Sequence, residues 1–176
     1  MDVNALLEEL KQREGGYVHH KNDRGGPTNW GITLNTYTRW LNRQATIDDI
    51  KVLSWDIAKK IYLQNYYYGP NISSLPDEVR AQIFDIAVNS GPVRAIKMLQ
   101  HVLNLAGFLC EEDGLVGPQT IRVCEQASER MGPYLTNAIA EAREHFYIRT
   151  VAIDPTQQEF LNGWLKRANS FKVEIA

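Results

Sequence analysis

Gly91-Pro92 and Gly132-Pro133 punctuate the second half of this 176-residue chain, and Pro118 and Asp154-Pro155 punctuate it again. Proline fixes φ and has no amide hydrogen, so it suits the first turn of a helix and breaks the interior of one. Glycine supplies the backbone that ends a helix. Between these marks apolar residues recur at helical spacing. Pro92 predicts a helix through Ile96, Leu99, Leu103 and Ala106 that ends at Gly107. Pro118 predicts another through Ile121 to Gly132, and Pro133 a long one through Leu135, Ile139, Ala142 and Phe146. A final helix carries Phe160, Leu161, Trp164 and Ala168.

The first half reads the same way. Val3, Leu6, Leu7 and Leu10 predict an amphipathic helix over residues 3 to 14, closed by Gly15. Thr33 caps a helix through Leu34, Tyr37 and Leu41, and Ser54 caps one through Ile57, Ile61 and Gln64 or Tyr68. Pro76 starts a helix with Val79, Ile83, Ile86 and Ala87 on its apolar side, and Gly91 stops it. No βαβ alternation and no repeat of 20 to 50 residues interrupts this pattern. The expected class is mainly α, with one short hairpin or irregular loop between Tyr17 and Ile32, turned at Gly25-Gly26-Pro27.

Charge excludes several functions. Lys and Arg number 19 against 21 Asp and Glu, a net charge of −2, and there is no basic block. Electrostatic capture of nucleic acid or of an anionic membrane is therefore not expected. The opening MDVNALLEELKQREGG has no basic n-region and no apolar h-region, and no apolar run is long enough to span a membrane. Cys110 and Cys124 do not make a disulfide framework, and they are expected to be free thiols. The adjacent His19 and His20 have no partner at ligand spacing, so neither a metal nor another cofactor is expected.

One stretch breaks the helical rhythm: REGGYVHHKNDRGGPTNWGIT, residues 13 to 33. Glu14 lies four residues after Leu10 and seven after Leu7, on the apolar face of its helix and in its last turn. The negative end of the helix dipole and partial desolvation both disfavour its charged form. A raised pKa suits a general acid. Asp23, in Lys21-Asn22-Asp23-Arg24, sits among polar neighbours that favour its ionised form, or makes an Asx turn. Thr28 and Asn29 hold a water or a sugar hydroxyl, or satisfy turn backbone. Tyr17 and Trp30 offer flat faces to a pyranose ring, or pack into a core. A carboxylic acid beside a carboxylate in a glycine-rich loop fits glycoside hydrolysis.

Asp85 and Asn89 are four apart on an apolar helix, so they either line a sugar groove or form a buried polar pair between helices. Tyr66, Tyr67 and Tyr68 run consecutively, and a helix cannot bury all three.

The stretch EGGYVHHKNDRGGPTNWGIT resembles the opening motif of glycoside hydrolase family 108, bacterial and phage N-acetylmuramidases with a lysozyme-like helical fold. By that resemblance Glu14 is the catalytic glutamate, and Asp23 and Thr28 are the loop acid and threonine. FDIAVNSG is similar to the Phe-Asp-x-Ala-Val-Asn-x-Gly segment of the same family. EDGLVGPQT, residues 112 to 120, is similar to a turn of peptidoglycan-binding helical modules. The resemblance implies a catalytic lobe over residues 1 to 70 and a peptidoglycan-binding lobe over 71 to 176. It also implies a muramidase cleaving the β-1,4 bond between N-acetylmuramic acid and N-acetylglucosamine. Tyr17, Asn29, Trp30, Tyr67, Asp85 and Asn89 are the expected substrate contacts, and peptidoglycan glycan strands the partner. A monomer is expected, held in the cytoplasm and reaching the wall through a holin if phage-encoded. A lytic transglycosylase and a non-catalytic peptidoglycan-binding or secretion-helper protein are the alternatives.

Overall fold

The computed structural model describes residues 2–13, 15–18 and 27–175, so Glu14 and Asp23 lie outside the described residues. The chain forms two compact units, Asp2–Asn65 and Tyr66–Ala176. It is mainly α, with one small antiparallel sheet among the described residues.

In the first unit, α1 (Val3–Arg13) starts where Asp2 Oδ1 accepts the Ala5 amide at 2.8 Å. It buries Leu6, Leu7 and Leu10, and apart from Val3 and Ala5 its other positions are polar. Complete burial of a leucine such as Leu7 contributes about 1.5–3 kcal/mol, more than any one cap. Three two-residue strands follow: β1 (Tyr17–Val18), β2 (Thr28–Asn29) and β3 (Ile32–Thr33), paired in that order. Helix α2 (Leu34–Leu41) begins at Thr33, whose side chain accepts the Thr36 amide. Helix α3 (Ile47–Lys51) begins at a capping box made by Thr46 and Asp49. Arg43 holds the Asp49 carboxylate with two bonds of 2.9 Å and, with Thr46, drives its pKa far below the usual range. Helix α4 (Trp55–Leu63) begins at Ser54 and buries Trp55, Ala58, Ile61 and Tyr62.

The second unit is built around α5 (Asp77–Ser90). Nearly every residue from Val79 to Ala87 is buried, so the helix runs through the core with other helices around it. Against it lie α6 (Pro92–Leu105) and the 21-residue α8 (Pro133–Ile153), with α7 (Pro118–Met131) and α9 (Gln158–Asn169) packed on α8. Pro92, Pro118 and Pro133 each stand at the first helical position.

The α6–α7 connection shows what the EDGLVGPQT turn does. Gln100, fully buried on α6, donates from Nε2 to Asp113 Oδ1 at 2.8 Å, to the Leu115 carbonyl and to Thr120 Oγ1, both at 3.1 Å. Its Oε1 accepts the Gly114 amide at 2.8 Å. The motif's Asp, Gly and Thr therefore serve one buried amide. Gly114 has φ +81, and a Cβ there would stand 2.9 Å from Val93 Cγ1 and 3.2 Å from the Val93 carbonyl. Gly114→Ala is expected to destabilise the protein by about 2–5 kcal/mol, summing left-handed strain and overpacking. Urea unfolding should show a lower midpoint at an unchanged slope.

Four local expectations differ from the structure. The left-handed glycine after α1 is Gly16 (φ 91), not Gly15, because the chain turns as it enters β1. Helix α4 ends at Leu63, where residues Gln64–Tyr68 widen into a π-helical turn. The buried face of α8 is Leu135, Ile139, Ala140, Arg143 and Tyr147, rotated from the Ala142 and Phe146 stripe toward the polar partners on α5. Phe160 on α9 is exposed and stacks on Trp164 at 5.8 Å, and Ala168 is the buried residue of that helix. Cys110 and Cys124 are free thiols. Burial, then the Glu78 carboxylate, pushes Cys124 up to about 12.

Candidate active site

The chain passes from helix to sheet within a few residues of position 14. Helix α1 ends at Arg13, Gly16 takes its positive φ, and β1 starts at Tyr17. The Trp30 amide donates to the Gly16 carbonyl at 3.4 Å, so the backbone two residues past Glu14 is tied to the turn after β2. Asp23 falls within residues 19–26, the connection between β1 and β2, and neither its structure nor that of Glu14 is described.

Strand register sorts the neighbouring candidates into two rows. Tyr17 faces Asn29, and Asn29 faces Ile32; Val18 faces Thr28, and Thr28 faces Thr33. Residues paired across strands share a face of the sheet. Asn29 and Ile32 are buried, at 4% and 2% exposure, so their row faces the core. Val18 is 49% exposed, so the row containing Thr28 faces outward.

Asn29 turns out to hold the framework. Its Nδ2 lies 2.9 Å from the Ile50 carbonyl, 3.1 Å from Lys51 and 3.4 Å from Leu53. These carbonyls lie around the end of α3, where helical partners run out; the Ile50 carbonyl also accepts the Leu53 amide at 3.3 Å. The side chain expected to meet a sugar hydroxyl is thus spent on the protein's own backbone.

Trp30 is held in an unusual conformation. Trp30 and Gly31 both have positive φ, 52° and 70°, between the paired Asn29 and Ile32, the geometry of a type I′ hairpin turn. A left-handed tryptophan costs about 1–2 kcal/mol. Its fixed contacts offset this: the indole N–H donates to the Leu53 carbonyl at 3.0 Å, and the Tyr62 hydroxyl donates to the Trp30 carbonyl at 3.0 Å. The ring packs edge-on to Trp55 at 5.6 Å. Trp30 remains half-buried, as does Tyr17.

The remaining candidates lie in the second unit. Tyr67 is half-buried, edge-on to Phe84 at 5.7 Å and to Tyr68 at 5.0 Å. Tyr68, 55% exposed, is the tyrosine of the triplet that faces solvent. Asp85 is 4% exposed and sits between two arginines: Oδ1 accepts from Arg167 Nη2 at 2.7 Å and Nε at 3.1 Å, and Oδ2 lies 2.7 Å from Arg143 Nη2. Asn89 is exposed and donates to the Asp85 carbonyl at 2.7 Å. Arg143 is 1% exposed and donates from Nε to the Tyr147 hydroxyl at 2.8 Å. Its Nη2 is not aligned to hydrogen-bond Asp85, so charge holds that pair, and Nη1 has no partner among the described residues. Sequence reasoning missed Arg143, although its place four residues after the buried Ile139 was a signal. It also missed the Thr46-x-x-Asp49 box that starts α3.

Known proteins match this chain in two adjoining stretches and once along its length. Residues 7–91 match the family model Glycosyl hydrolase 108, and residues 94–169 match the model Predicted Peptidoglycan domain. No curated protein matches the chain. The solved structure titled "Structure of Brucella abortus SagA" is similar at 30% identity and a TM-score of 0.75, covering 97% of this chain and 91% of that one. The first match spans α1 from Leu7, the sheet and α2 to α5, the segment that carries Glu14, Asp23 and Thr28. The chain belongs to glycosyl hydrolase family 108, with a mainly α, lysozyme-like fold, and is a glycoside hydrolase of peptidoglycan with a peptidoglycan domain in its C-terminal part.

Proposed function

We propose that the protein is an N-acetylmuramidase that hydrolyses the β-1,4 bond between N-acetylmuramic acid and N-acetylglucosamine. Glu14 is the general acid that protonates the leaving glycosidic oxygen. Asp23 is the carboxylate that activates water or stabilises the oxocarbenium-like centre, and Thr28 orients water or a sugar hydroxyl. The observation that carries this reading is the α1–β1 junction. A helix buried along Leu6, Leu7 and Leu10 stops one residue before Glu14, and the backbone beyond is pinned to Trp30 at Gly16. General acid catalysis requires an acid carried on rigid elements, and Glu14 stands in sequence between a buried helix and a paired strand. Tyr17 and Trp30 are the proposed aromatic contacts for the sugar ring. We assign Asn29 to holding α3, since its amide serves carbonyls there.

The test is mass spectrometry of purified peptidoglycan after digestion. A muramidase leaves a reducing N-acetylmuramic acid end; a 1,6-anhydro product would assign the chain to lytic transglycosylation instead. Wall binding without soluble fragments would make it a binding protein. A separation of about 5–5.5 Å between the Glu14 and Asp23 carboxyls goes with retention, and about 6.5–9.5 Å with inversion.

Adjacent residues on opposite faces of β2 should behave differently. Thr28→Val keeps the strand and is expected to lower turnover about tenfold with thermal stability unchanged, the loss of one hydrogen bond in the transition state. Asn29→Ala is expected to cost about 1–3 kcal/mol of stability, because the buried amide's hydrogen bonds to the carbonyls around the end of α3 are lost. Turnover and urea unfolding on the two variants check the split. Equal effects on both observables would overturn it.

A further inference from the structure

A cavity in the C-terminal unit is used by none of this chemistry. Its volume is about 390 Å³, and it lies between the start of α5, the start of α8 and the segment after α9. Asn137 holds Val173, which lines one wall: Nδ2 donates to the Val173 carbonyl at 3.0 Å and Oδ1 accepts the Val173 amide at 2.9 Å. That two-point clasp fixes the C-terminal segment against α8. Lys172, which also lines the cavity, is tied to Glu144 at 3.1 Å.

Two features separate this cavity from a packing void. Thr136 lines it and is 8% exposed, yet its hydroxyl has no hydrogen-bond partner among the described residues. The adjacent buried amide of Gln82 is satisfied by contrast. With its nitrogen turned to α8 it donates to the Thr136 carbonyl at 3.2 Å, and its oxygen accepts the Ala140 amide at 3.1 Å. Thr136 Oγ1 is not one of the fully buried polar atoms left without a partner, so the hydroxyl keeps accessible surface where the residue meets the cavity. The second feature is the start of α8 at the cavity rim. Gly132 (φ 53) offers no side-chain cap and Pro133 no amide hydrogen, so no side chain caps the positive end of this 21-residue helix.

The lining chemistry selects a ligand. A hydroxyl donor beside a helix N-terminus suits a carboxylate. Ala81, Pro133 and Val173 supply apolar surface of methyl size, and Glu78 supplies a negative group for an amine. No Trp or Tyr lines the cavity, and the Phe171 ring is engaged by Arg143 and Arg167, 5.8 and 5.7 Å from its centroid. A pyranose therefore has no aromatic face to stack on. We propose that this cavity is a subsite for the peptide stem of peptidoglycan, taking a short alanine-bearing peptide by its free carboxylate. The assignment rests on the C-terminal unit meeting peptidoglycan.

The experiment titrates the whole protein with a synthetic stem tetrapeptide ending in a D-alanine carboxylate, and with its C-terminal amide, by calorimetry. Saturable binding of the acid is expected, about tenfold weaker for the amide and for Thr136→Val, and abolished by Ala81→Leu, which fills the space. Both variants should unfold like wild type in urea; if Ala81→Leu does not, the amide and Thr136→Val decide. No saturable binding by wild type, or equal binding of acid and amide with Thr136→Val unchanged, overturns the proposal. Glycan strands stripped of peptide by an amidase supply the independent arm. Thr136→Val should cleave them as wild type does. If wild type releases no reducing ends from them, the hydrolase reading fails, and the titration still decides the cavity.

Discussion

Glu14→Gln is expected to fold as wild type and to lose about 10²–10⁴-fold of its turnover on peptidoglycan, the contribution of a positioned general acid. Glutamine keeps the size of the side chain and removes the proton that the leaving oxygen must receive. Glu14 follows directly on α1 in sequence, and the substitution leaves the buried Leu6, Leu7 and Leu10 of that helix unchanged. Reducing ends released from purified sacculi measure turnover, and a urea curve checks the fold. Near-wild-type release by the variant would remove Glu14 from the mechanism. The acid must be protonated to act, so activity should fall as pH rises through its pKa. Asp23→Asn separates the two roles open to that residue: a loss as deep as at Glu14 assigns it direct chemistry, and a shallower one assigns positioning.

Asp85→Ala is expected to destabilise the C-terminal unit by about 3–5 kcal/mol, because it leaves the buried Arg143 without its counter-charge. Arg167, with 21% of its side chain exposed, reaches water more easily, so most of the loss belongs to Arg143. Truncation at Asp85 should thus lower the urea midpoint sharply. Asp85→Ala combined with Arg143→Met should recover much of the loss, since an apolar pair replaces an orphaned cation. A substrate role for Asp85 predicts the opposite pattern: full stability, weakened activity and no rescue by the second change. Calorimetric or urea unfolding of the three variants decides between them.

Asp85 also shows where sequence reasoning stops. Its place on an apolar helix four residues before Asn89 marks both as unusual, and a sugar groove or, slightly favoured, a buried pair accounts for that. The partners that distinguish the two are Arg143 and Arg167, the latter 82 residues away, and no local pattern encodes such a pairing. The sheet gives the same lesson at short range. TNWGIT contains none of the Asn-Gly or Asp-Gly pairs that signal a tight hairpin, so the turn at Trp30-Gly31 was invisible. Register then decided which of Thr28 and Asn29 faces out.

The order of helices, their starts at Thr33, Ser54, Pro92, Pro118 and Pro133, and the family to which the EGGY stretch points were determined by sequence alone. Caps, prolines and glycines act on the backbone within one turn, so their effect is written where they stand. Tertiary structure alone decided that Asn29 serves α3, that Asp85 neutralises Arg143, that Gln100 organises the 113–120 turn, and that Thr136 opens on a cavity. Each of these depends on which groups lose water together and must find partners far along the chain, and only the packed chain settles that.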